Sequence, residues 1–207
     1  MLRVVCLSLA VLGGLLTLGL APAPAPASPA ATPADDAIFT IDAVHSNLIY
    51  RLRHFGVSNF WGRVNGPTGT FLIDDANLGG SSISIVAEIK NMDAGNDGRD
   101  RFLQSPDFFN VREFPTAEFQ SSSITKKGEG LYEATGTFTM HGVTKPLTVT
   151  IEDYTTAQTT RFGFRGGFEC TFTVNRSEYG MSLFVEEGTL GDAVTITAAI
   201  EGVRLPS

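Results

Sequence analysis

Three histidines, His45, His54 and His141, are the only imidazoles in a chain of 207 residues. They are the first candidates for metal or proton chemistry. None has the paired H-x-x-x-H spacing by which neighbouring ligands meet one zinc ion, so no metal site is assigned. Each is expected to be structural. His45, beside Asp42, ties the start of a strand to its neighbour; His54 follows a strand; His141, before Gly142, shapes the turn into Val143. Arg99, Asp100 and Arg176 form a second group, open to two readings. An arginine can receive an anionic or carbonyl oxygen at the mouth of a cavity, or it can pair with a carboxylate to clamp a turn, and the structural role is the stronger expectation. A G-x-S-x-G elbow, a phosphate-cradling glycine loop and a C-x-x-C are all absent, so no catalytic residue and no cofactor is assigned.

The first 27 residues are read as a signal peptide. Arg3 supplies the positive start, Val4 to Leu20 is almost wholly apolar, and Ala25-Pro26-Ala27 fits a small-x-small cleavage site before Ser28. Residues 28–37 form a Pro/Ala-rich tether, and residues 38–204 a single domain. The expected location is therefore periplasmic or secreted. The full chain carries 15 basic and 22 acidic residues; loss of Arg3 with the leader leaves 14 against 22, a net charge of −8. That field disfavours nucleic acid and bulk anionic membrane as partners. Beyond the leader Cys170 is the single cysteine. No internal disulfide can form, and the thiol is read as a hidden core residue.

What must position these residues is a set of short strands. Leu48, Tyr50 and Leu52 alternate with Ile49, Arg51 and Arg53. The same period of two runs through Phe71 and Ile73, Ile83 to Ile89, Tyr132 to Phe138, Leu147 to Ile151, Phe168 to Val174 and Val194 to Ile200. Further strands are expected near residues 38–42, 117–124 and 158–165. Such alternation marks antiparallel sheet with one wet face. Eight or nine strands in one sheet close on themselves rather than leave an open edge. The fold class is thus all-β, a closed eight-stranded antiparallel barrel, with a two-sheet sandwich as the alternative. Gly166-Gly167 inside a strand pattern permits a sharp bend. One short helix is expected over residues 96–104, after the 82–90 strand, capping an end of the barrel. The inward face collects Leu48, Tyr50, Leu52, Phe71, Ile83, Ile85, Phe119, Phe138, Phe168, Phe172 and Ile196. Periodicity alone favours a filled core there over a hollow.

Several segments carry more than a period. Asp42, His45 and Ser46 form a D-x-x-H-S; His54-Phe55-Gly56-Val57-Ser58 and Gly62 follow, then Gly69-Thr70-Phe71. Phe108-Phe109 precedes Pro115, Thr116 and Phe119. His141-Gly142-Val143-Thr144-Lys145-Pro146 is the most specific piece, and Asn175-Arg176-Ser177-Glu178-Tyr179-Gly180-Met181 closes the series. In this order they resemble the YceI-like proteins from about Phe39 to Glu201. The chain departs from that pattern at Phe102, where the family usually has His, at Val64 for a common Phe, and at Asn91 for a frequent Ser. The resemblance implies a lipocalin-like barrel with an apolar tunnel that holds a polyisoprenoid, such as a quinone-type lipid or a prenyl phosphate. It turns the inward apolar residues above into ligand-binding candidates, and makes His45, Arg99, Asp100, His141 and Arg176 candidates for the headgroup or for the wall. A guest of about forty carbons at ~0.3 kcal/mol per heavy atom gains ~12 kcal/mol, enough for nanomolar affinity without a polar clamp. The expected function is non-catalytic lipid binding and transport. The alternatives are a scavenger of hydrophobic compounds outside the cell, and a metal- or acid/base-dependent hydrolase of lipid-like substrates using His45, His141 or Asp100. Docking of an exposed Leu183-Phe184-Val185 loop on a membrane or donor protein, and pairing as a homodimer, stay open.

Overall fold

The computed structural model describes residues 38–204; the leader and tether expected before them lie outside the described residues. The strands are β1 Phe39–Ile41, β2 Asn47–His54, β3 Ser58–Asn65, β4 Thr68–Leu72, β5 Ser82–Glu88, β6 Met92–Asp93, β7 Thr116–Gly128, β8 Leu131–Met140, β9 Val143–Thr159, β10 Gly163–Asn175 and β11 Leu190–Arg204. One α-helix, α1, spans Asp97–Gln104 between β6 and β7. Its N-cap is Asn96, whose side chain accepts from the Arg99 amide at 3.0 Å, as a polar residue at that position should.

The pairings run β1-β4-β5-β7-β8-β9-β10-β11 and return from β11 to β1, all antiparallel. That ring of eight is a closed barrel, which removes the sandwich. β1 and β2 are two halves of one bent strand, as are β3 and β4. The upper halves, β2 and β3, pair with each other, and β2 continues the sheet from β11. The bend after β1 is tied on both sides. The Ser46 hydroxyl donates to the Glu201 carbonyl and accepts from the Glu201 amide, each at 3.0 Å. Arg165 on β10 donates to Asp42 at 2.6 Å and to Glu201 at 3.1 Å, and His45 Nδ1 meets the same Asp42 Oδ2 at 2.9 Å. Outside the barrel, threonines face one another across strands, with Thr171–Thr197 and Thr139–Thr144 hydroxyls 2.9 and 2.8 Å apart.

Inside, one end is filled. Phe39 stacks on Phe71 with ring centres 5.0 Å apart, and Phe71 meets Phe168 edge-on at 5.2 Å. Glycine makes that plug possible: a Cβ at Gly202 would sit 2.6 Å from the Phe71 ring, and one at Gly166 2.8 Å from the Phe39 ring. The paired glycines of β10 also stand where the register with β9 shifts, between Gly167 and Glu169, which is the expected bend.

Two expectations about strands need correction. The strand placed near residues 158–165 is the end of β9, a turn, and the start of β10, joined through Thr159, whose hydroxyl donates to the Gly163 carbonyl at 2.8 Å. β3 was not expected at all. Its inward positions are Phe60, Gly62 and Val64, while the large Trp61 faces outward and is 56 % exposed, so the apolar alternation is blurred where the strand is real.

Candidate functional site

Above the aromatic plug the barrel holds a cavity of about 390 Å³, within the roughly 300–1,000 Å³ usual for small-molecule pockets. Its lining is almost wholly apolar. It begins at Ile151, Phe168 and Cys170, passes Leu48, Phe119, Phe138 and Ile196, and ends among Phe102, Phe108 and Phe184. Phe102 lines it and is still 39 % exposed, so the cavity meets solvent beside α1.

Period-two alternation places most of this wall. Leu48, Tyr50, Leu52, Ile83, Ile85, Phe119, Phe138, Phe168, Phe172 and Ile196 all face the cavity. Phe71 does not. It is fully buried in the plug between Phe39 and Phe168, where Gly202 of β11 leaves room for its ring at the closed end. The small residues Ala87 and Ala198 line the hollow and leave width for it, whereas Ala134 is packed in the lower core. Cys170 faces inward, and burial pushes its thiol up to about 12.

The polar candidates divide. His45 lies outside at the β1–β2 bend, with its imidazole on Asp42. Asp42, His45 and Glu201 are close enough to share an ion, yet none of the three lines the cavity, and Arg165 already engages both carboxylates. His141 lies in the β8–β9 turn at φ 51°, its ring tilted against that of Phe114 with centres 4.5 Å apart, and is bonded through Nδ1 to the Tyr179 carbonyl at 3.0 Å. His54 ends β2 at the cavity rim.

Arg99 and Arg176 both line the cavity, and neither is clamped by the carboxylate partner expected for it. Arg99 donates to the Ala94 carbonyl at 2.7 Å and lies 4.7 Å over the Phe60 ring. Asp100 accepts from the Ala94 amide at 2.8 Å, so the two side chains together hold the start of α1. Arg176 is 2 % exposed. Its guanidinium donates to the carbonyls of Gly191, Met181 and Leu190 at 3.0, 2.7 and 3.1 Å. Burial draws its pKa below the ordinary value. It pins the segment after β10 to the start of β11.

The mouth was the part least visible in the sequence. Phe108, Phe109, Met181 and Thr189 reach it from connections that carry no period. Leu183, Phe184 and Val185 are half-buried rather than exposed, with Phe184 turned to the lining and 6.4 Å from Phe102. Phe102 joins this aromatic rim, 6.0 Å from Phe108.

Residues 39–202 match the YceI-like domain, nearly everything described. The chain belongs to the YceI-like family. It is 31% identical over 177 residues to a UPF0312 protein of Shewanella sp. (strain ANA-3), covering 86% of this chain and 92% of that one. A UPF0312 protein of Vibrio vulnificus (strain YJ016) is 30% identical over 178 residues, again covering 86% and 92%. Among solved structures, Burkholderia cenocepacia BcnA superposes with a TM-score of 0.69 at 20% identity, over 78% of this chain and 98% of its own. A polyisoprenoid binding domain from Saccharophagus degradans, implicated in plant cell wall breakdown, gives 0.61 at 12% identity, over 82% and 99%. These two share the closed barrel with the YceI-like chain described here.

Proposed function

We propose that this YceI-like barrel is a non-catalytic carrier that takes a long apolar lipid of the polyisoprenoid kind, chain first, into the cavity above the plug. The observation that carries the reading is the cavity itself, continuous from Phe168 to Phe102 and walled by hydrocarbon and aromatic side chains. Burial of apolar surface is non-directional, so such a wall holds a slender chain firmly without a reaction centre. The polyisoprenoid-binding function named for the Saccharophagus degradans domain supports the class of guest. The apolar leader and its small-x-small end support an extracytoplasmic site of action, which N-terminal sequencing of the protein recovered from cell fractions tests.

The carrier reading is tested by purifying the protein without detergent, extracting it into organic solvent and analysing the extract by mass spectrometry. A prenyl lipid in the extract, or stoichiometric uptake of an added prenyl quinone, is expected. An extract without lipid, together with no uptake, overturns the proposal. A scavenging role would use the same hollow, and competition between a prenyl quinone and unrelated hydrophobic compounds separates the two.

A further inference from the structure

Among the described residues one buried side-chain polar atom lacks a hydrogen-bond partner, the hydroxyl of Tyr50. Tyr50 lines the cavity. Its ring lies across Gly62 of the neighbouring strand, where a Cβ would stand 2.3 Å from the hydroxyl oxygen, so only glycine leaves the ring that path. The outward Trp61 and the side-chain-free Gly62 thus make sense together: β3 gives up an inward side chain, and Tyr50 from β2 occupies the space.

Arg99, Phe102 and Leu103 of α1 line the same cavity as Tyr50. Burial, before any charge, pushes the Tyr50 hydroxyl well above its ordinary range, so it keeps its proton and acts as a donor. Native proteins pair nearly all buried polar groups, and one left over beside a ligand-sized hollow is a seat for an acceptor. The Arg99 guanidinium is held by the Ala94 carbonyl and the Phe60 ring at the wall of the same cavity.

We propose that the Tyr50 hydroxyl donates a hydrogen bond to a carbonyl or phosphoryl oxygen of the bound lipid, seating its polar end beneath α1 with the chain directed toward Phe168. This rests on the carrier reading and adds to it a guest that bears an oxygen acceptor, in a defined orientation.

Three probes of equal or similar length test it: a prenylated benzoquinone, a prenyl monophosphate and squalene, each titrated against wild type and Tyr50→Phe. The variant is expected to bind one or both oxygen-bearing probes about tenfold more weakly, the worth of one such bond, and squalene unchanged. Loss with the quinone marks a carbonyl guest, and loss with the monophosphate a phosphoryl one. Equal losses for squalene, or no loss for any probe, overturn the proposal and leave the carrier reading standing. If wild type binds none of the three, both fall. A second readout does not depend on the variant folding. The carbonyl stretch of a ¹³C-labelled quinone, or the phosphoryl stretch of the monophosphate, bound to wild type is expected below its position in hydrocarbon solvent, and solvent positions for both overturn the hydrogen bond.

Discussion

Asp42 and Arg176 show how single residues hold this barrel together. The Arg165 guanidinium, and after it His45, hold the Asp42 carboxyl well below the usual carboxylate range. A group depressed in the folded state adds stability that is fully present above its unfolded pKa, about 4, and fades as pH falls toward the folded value. Asp42→Asn should therefore lower stability by about 1 kcal/mol at pH 7, with a partly exposed pair keeping the figure small. The gap between variant and wild type should shrink below about pH 4. Urea midpoints at pH 7 and pH 3 check this, and a gap independent of pH would assign the effect to packing. Arg176 holds three carbonyls in a buried place. Arg176→Met leaves them without their donor, and a loss of about 3 kcal/mol is expected. Arg176→Lys, with one ammonium for three divergent acceptors, should recover less than half of it by the same measurement.

At the scale of the elements, plug and cavity should respond differently to the same truncation. Phe71 is enclosed on every side by Phe39, Phe168 and the glycine-lined seam. Phe71→Ala should cost about 3–5 kcal/mol. Phe172 packs on Phe138 at 5.7 Å but also faces the hollow, so Phe172→Ala should cost less, about 2 kcal/mol. Equal losses in urea denaturation would argue against a filled end and an open one. This division was not readable from the chain. Period two put Phe71 and Phe172 on the same inward face, and alternation carries no information about depth along a barrel axis. The strands themselves were legible wherever large apolar residues alternated with Thr and Glu, as in β8 and β10. They were not legible in β3, where Gly62 stands in an inward position and Trp61 in an outward one. The helix was legible through Asn96 and its polar start. The rim was not, since Phe108, Met181 and Phe184 converge only through the closure of the ring.

For the whole molecule, the volume of the hollow should set which guests it keeps. Ala198 lines the cavity on β11, opposite Leu48 of β2 and Cys170 of β10. Ala198→Phe is expected to fill width that a chain needs, lowering uptake of a long prenyl quinone at least tenfold, while the strand register keeps the barrel closed. Mass spectrometry of the extracted guest should show shorter species or none. An unchanged guest profile would place the bound lipid elsewhere.

The order of the ring also has a temporal side. β11 is the last strand among the described residues, fifteen residues long, and it joins β10 to both β1 and β2. A polypeptide still lacking that final stretch has two unsatisfied edges facing a one-strand gap, whatever its earlier hairpins have done. The ring therefore closes only once β11 has been made, and until then both of those edges stay open to other extended strands.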